Sequence, residues 1–159
     1  MAYNISFVHQ KAWEVLLECR INRLPVDLTH ITAHYNINVV AYSEVIVSQL
    51  FKNEILNGDG FTTRIGNSNV IFINDKIPTI NQRRCTAAHE IGHILLGHNI
   101  GNISYKNNKF DDTTKYQELQ ANTFARDLLM PSAILVALNL HYPKDIAEIC
   151  EISYQSAMI

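Results

Sequence analysis

The stretch Arg84-Cys85-Thr86-Ala87-Ala88-His89-Glu90-Ile91-Gly92-His93-Ile94-Leu95-Leu96-Gly97-His98 decides how the rest of the chain is read. At its centre, His89 to His93 form an H-E-x-x-H pattern. On a helix, positions four apart share a face, so both imidazoles can point at one metal ion. Glu90 falls roughly 100° round the helix from His89, where its carboxylate reaches a water on the metal rather than the metal itself. Ala88, Ile91 and Leu95 supply the apolar face of this helix. Gly97 is placed to end it. Upstream, Thr79 follows Pro78 and precedes Gln82 by three, the capping-box spacing that starts a helix.

Outward from this helix, two periods alternate. Residues 61–65 and 70–74 read as strands joined by Gly66-Asn67-Ser68-Asn69, a turn suited to a hairpin. Val70-Ile71-Phe72-Ile73 is continuously apolar and belongs in the middle of a small sheet. Ile37–Tyr42, rich in β-branched residues, reads as another strand, and Asn57-Gly58-Asp59-Gly60 as a turn. Trp13, Leu16, Leu17 and Ile21 mark a helical stripe over 7–21, and Asp27 caps a short helix running to about Tyr35. Ser43 is a cap for a further helix to about Asn53. Beyond the motif, 102–113 is a polar loop and 115–129 a helix. Pro131 suits the first turn of the next helix, and 144–159 gives two short helices.

Composition narrows the class. The 159 residues are enough for one domain with a core of its own. Thirteen basic residues against 15 acidic, a formal net charge of −2, argue against a dedicated nucleic-acid or anionic-membrane binder. No apolar run has the length of a membrane span, and the N-terminus lacks the layout of a signal peptide. Cys19, Cys85 and Cys150 are odd in number and far apart, which fits reduced thiols in a cytosol.

A catalytic zinc usually takes three protein ligands and leaves one position open. His89 and His93 are two, and several residues compete for the third place. Gly97-His98 lie one residue out of register with H-E-x-x-H-x-x-G-x-x-H, so His98 reads as a helix-end histidine meeting the last carbonyls. Glu118 stands on the following helix, which can fold back onto the histidine pair. Asn122, one turn further, can then bind the outer nitrogen of a ligand histidine. Asp111 and Asp112 sit in the polar loop, and Cys85 lies one turn before His89. His30 and His34 share a helix face, but no third ligand follows them at a useful spacing.

The motif helix, together with Glu118-Leu119-Gln120-Ala121-Asn122-Thr123-Phe124-Ala125-Arg126-Asp127-Leu128-Leu129-Met130-Pro131, resembles the ImmA/IrrE family of metallo-endopeptidases. That family pairs an H-E-x-G-H helix with a downstream E-x-E-A-N-x-F-A-x-x-L-L-M-P segment. The likeness is strong over about 60–159 and extends to the first 55 residues only in general layout. It implies an α+β, zincin-like fold: the H-E-x-x-H helix packed on a sheet of about three strands, with helices around it. One domain would span 1–159, divided into an N-terminal helix and strand part (1–55), a catalytic core (60–131) and C-terminal helices (132–159). It further implies a gluzincin-like cytoplasmic enzyme with His89, His93 and Glu118 on Zn2+ and Glu90 as general base. The substrate class carried by the family is a helix-turn-helix repressor encoded nearby, with no direct nucleic-acid or membrane partner. Gln120 departs from the pattern, standing where a second glutamate is common, while the E-x-x-A-N register points to Glu118 as the ligand. An oxyanion donor is expected from Tyr105, Tyr116, His141 or Tyr142.

Two other classes compete. Residues 144–159 have the outline of a helix-turn-helix, which would make the zinc structural in a DNA-binding regulator. One basic residue against Asp145, Glu148 and Glu151 argues instead for packing or partner docking. A non-catalytic, peptide-binding relative acting through protein contacts is the second. An intact Glu90 argues against it.

Overall fold

Period-two and period-3.6 segments alternate along the chain, and the computed structural model, which describes residues 5–43, 58–98 and 112–158, folds them into an α+β arrangement. In chain order these are α1 (Ile5–Glu18), α2 (Leu28–His34), β1 (Ile37–Ala41), β2 (Gly60–Ile65), β3 (Ser68–Ile73), α3 (Ile80–Leu95), α4 (Asp112–Leu129), α5 (Ser132–Ala137), α6 (Pro143–Cys150) and α7 (Tyr154–Ala157). The helix expected to follow Ser43, residue Asn57 of the expected turn, Tyr105, Asp111 and most of the polar stretch 102–113 lie outside the described residues.

The sheet has the order β1-β3-β2. β3 is central as its unbroken apolar run requires, with Val70 to Ile73 all buried. It pairs parallel to β1, Ile37 opposite Asn69 and Ala41 opposite Ile73. It pairs antiparallel to β2, with Ile65 opposite Ser68, so the hairpin turns through Gly66-Asn67 alone, two residues shorter than the four-residue turn of the sequence reading. Phe61 and Phe72 stack across this pair with centroids 4.9 Å apart, a geometry favourable for aromatic rings.

The helices start where side chains can cap them. Asp27 accepts the His30 N–H at the start of α2, Thr79 the Gln82 N–H at α3, and Ser153 the Ser156 N–H at α7. Pro131 sits at the N-cap of α5 rather than within its first turn, and α4 begins at Asp112, a turn earlier than the sequence suggested. The stripe of α1 is also rotated from its expected position. Val8, Ala12, Val15 and Leu16 are buried, whereas Leu17 is 71% exposed. Leu17 stands about 100° round from Leu16, which takes it off the face that meets the core; Trp13 and Ile21 pack at its margin.

One continuous cluster of buried side chains joins α1, α2, the sheet, α3, α4, α6 and α7. Phe124, Ile91, Leu128, Ile31 and Ile71 are its largest fully buried members. The C-terminal helices are fastened to the start of α3: Asn81 donates to the Ile152 carbonyl at 3.1 Å and Arg84 to the Cys150 carbonyl at 3.4 Å. The same Arg84 donates to the Val26 carbonyl. The helix-turn-helix outline of 144–159 is thus a packing element, with Ala147, Cys150, Ile152 and Ala157 in the core.

The contact that positions everything downstream is that of α3 with α4. At Gly92 a Cβ would lie 3.3 Å from the Cα and carbonyl oxygen of Ala121 and 3.1 Å from a ring carbon of Phe124. The two backbones therefore meet at a glycine and an alanine. A branched side chain there must force the helices apart, a strain of about 1–3 kcal/mol or more. Gly92→Val is expected to lower the unfolding free energy by about 2 kcal/mol, read as a shifted midpoint with unchanged slope in urea denaturation.

Candidate metal centre

Helix α3 carries His89 and His93 one turn apart, and α4 crosses it so that Glu118 faces them. Their Nε2 atoms are 3.0 Å apart. Glu118 places Oε2 3.2 Å from His89 Nε2 and Oε1 3.5 Å from His93 Nε2. Among the described residues these three form a group whose ligand atoms all lie within 4.8 Å of one another. A tetrahedral zinc with ligands at about 2.0–2.1 Å has ligand–ligand edges of about 3.3 Å, close to the spacings observed.

What stands behind the histidines fixes which nitrogen faces the cluster. His89 Nδ1–H donates to Asn122 Oδ1 at 2.8 Å, leaving the Nε2 lone pair turned toward Glu118. Asn122 reaches it from one turn beyond Glu118 on the same helix, as the sequence spacing suggested. His93 Nδ1 lies 3.0 Å from His98 Nδ1, and His98 Nε2 lies 3.1 Å from Gln120 Oε1. Two imidazole nitrogens and a carboxylate thus converge on one point from three directions. Such a donor set suits a divalent cation and is costly without a positive charge. The residues present fit a zinc site.

His98 corrects the sequence reading, since its ring does not meet the helix carbonyls. Gly97, with φ +70, turns the chain back at the end of α3. The His98 N–H then bonds the His93 carbonyl at 3.0 Å and the Gly97 N–H that of Ile94 at 3.1 Å, the Schellman pattern. In that pattern the residue after the glycine packs on the helical residue five before it, here His93. The 8% exposed imidazole of His98 is consequently laid against the ring of His93.

Burial draws the His89 imidazole down, but the Glu118 and Glu90 carboxylates and Asn122 outweigh it and hold its pKa above the ordinary value. His98, by contrast, is held below it by burial, which its Gln120 bond only partly counters. Glu90 points about 100° round the helix from His89, is 8% exposed, and accepts a 2.7 Å hydrogen bond from the Thr62 hydroxyl of β2. Tyr42 also comes near this carboxylate. Its hydroxyl is pushed up to about 12 by burial and then by the charges of Glu90 and Asp59, so it stays a protonated donor at neutral pH.

Thr62, Tyr42 and the ring contact of His98 were not visible in the sequence as site features. A threonine within a strand and a tyrosine at its end carry no local mark, whereas Gly97 followed by His98 does signal a residue folded back on His93. Several candidates lie elsewhere. The Cys85 thiol bonds to Ser156 and the Ser153 backbone, with its pKa raised by burial. His30 bonds the Cys19 carbonyl and His34 packs on Tyr35. His141 bonds Asn139, Tyr142 is 72% exposed, and Tyr116 lies half exposed on α4. Tyr105 and Asp111 are outside the described residues, as is the side chain of Asp112.

The family model for the IrrE N-terminal-like domain, a peptidase domain, matches residues 20–158. No curated protein matches the chain in sequence. If α4 supplies a ligand and not merely a neighbour, Glu118→Ala will lower zinc retention. Elemental analysis after mild dialysis should find close to one zinc per wild-type chain and a clearly smaller fraction in the variant; equal zinc in both would remove Glu118 from the ligand set.

Proposed function

This chain belongs to the ImmA/IrrE family of metallopeptidases, and from that premise we propose that it is an intracellular zinc-dependent endopeptidase that cleaves a helix-turn-helix transcriptional repressor. The observation that carries the peptidase reading is the convergence of His89, His93 and Glu118 beside a buried, hydrogen-bonded Glu90 on the same helix. The repressor substrate rests on the family likeness, and the near-neutral charge of the chain agrees with a protein rather than a nucleic-acid partner.

His89, His93 and Glu118 would hold a zinc ion, which would supply Lewis acidity and make a nearby water acidic enough to ionise near neutral pH. Glu90 would accept the proton of the attacking water and return it to the departing amine. Thr62 holds Oε2 of Glu90 and so fixes the orientation of the carboxylate. Tyr42, whose hydroxyl donates to the Gly58 carbonyl at 3.4 Å, stays protonated near Glu90. β2 is an edge strand of the described sheet, and an extended substrate backbone can lie along such an edge. A purely peptide-binding relative has no use for a buried carboxylate anchored in this way.

Two variants separate the roles. Glu90→Gln should keep fold and zinc while peptide hydrolysis falls by at least about a hundredfold; undiminished turnover of a co-expressed repressor would end this mechanism. Thr62→Val removes one hydroxyl at constant shape. A lost hydrogen bond to a carboxylate is worth about 1.5–3 kcal/mol, so kcat should drop about tenfold or more with zinc content unchanged, as measured in steady-state kinetics.

A further inference from the structure

The second ring behind the metal ligands is built differently for the two histidines. His89 is held by an amide oxygen, a group that can only accept. His93 is held by another imidazole, which can accept or donate at Nδ1 depending on its own tautomer. Something must therefore decide the tautomer of His98. Gln120 is the residue placed to do so, with its Oε1 3.1 Å from His98 Nε2.

We propose that His98 and Gln120 are positioning residues that hold the His93 ring through Nδ1, so that its Nε2 is the nitrogen turned to the metal. The proposal rests on His89, His93 and Glu118 being the metal-holding group. The chain of bonds runs one way. The Gln120 amide oxygen accepts from His98 Nε2–H. The neutral His98 ring then offers the lone pair of Nδ1, which accepts the proton of His93 Nδ1. The remaining nitrogen of His93 is left without a proton. The departure at Gln120 from the family pattern thus acquires a role. The backbone secures the geometry, since the Gly97 turn fastens His98 N–H to the His93 carbonyl and fixes one ring against the other.

The shapes of leucine and asparagine match closely, and only asparagine offers an acceptor where His98 Nδ1 now lies. The first measurement is long-range proton–nitrogen NMR on the zinc-loaded full chain at neutral pH. The expected result is His98 protonated on Nε2 alone and His93 protonated on Nδ1; a His98 proton on Nδ1, or metal on His93 Nδ1, would overturn the proposal. The second is affinity for Zn2+ alone, by competition with a chromophoric chelator. His98→Leu should bind about 10–100-fold more weakly than wild type, and His98→Asn should recover most of that loss. Equal affinity in the two variants, whether high or low, would show that the acceptor is irrelevant. If His98→Leu does not fold, Gln120→Met takes its place and should shift the His98 proton toward Nδ1 and weaken zinc several-fold; an unmoved tautomer and affinity would count against the relay. Wild type that binds no zinc at all would sink the metal centre itself, an outcome distinct from wild-type binding without a difference between leucine and asparagine.

Discussion

Everything at the centre depends on two helices being allowed to touch. Where α3 passes α4, a methyl group on Gly92 would press within 3.3 Å of the Ala121 backbone, and the buried ring of Phe124 fills the space beside them. That closeness brings a carboxylate on one helix within 3.5 Å of imidazoles on the other. Glu118, Gln120, Ala121 and Asn122 form a single turn of α4, and each has a different duty: a donor to the cluster, a partner for His98, the contact surface, and a partner for His89. A shift of an ångström at the contact would therefore displace all of them together, which explains why so few residues specify so much.

Beyond the contact, the site draws on two neighbouring faces of α3. Toward α4 lie the nitrogen and oxygen donors with their hydrogen-bonded supports. Toward the sheet lies Glu90, fastened to Thr62. The helix thus separates the groups suited to holding a cation from the group suited to moving a proton, and does so simply because adjacent residues point about 100° apart. Burial adds to the effect: charges interact more strongly where water is excluded, and Glu90, His98 and Thr63 are among the few polar side chains buried here.

Much of this was legible in the sequence because it depends on local spacing. The four-residue interval of His89 and His93, the caps at Asp27 and Thr79, the apolar run of β3 and the stop at Gly97 are all short-range signals, and the structure agrees with each. Glu118 and Asn122 needed one further step, that their helix folds back. What could not be read depends on distant packing. Thr62 meets Glu90 across 28 positions of chain, and which side of α1 faces the core depends on its partners, so Leu17 was assigned to the wrong face. The ring of His98 is an intermediate case: the turn that aims it was recognised, but not that the target would be another side chain.

The arrangement of donors also links metal supply to the lifetime of the fold. No single element holds the cluster, so the unfolded chain has no comparable site. A cation bound there acts as a clasp between α3 and α4 and stabilises the native state by an amount that grows with the logarithm of its free concentration, about 4 kcal/mol at a thousand times the dissociation constant. That is a large share of the stability of an ordinary domain. With a cation held there, such a chain would persist when metal is plentiful and open more often when it is withdrawn, so its abundance would follow the metal without any dedicated sensor.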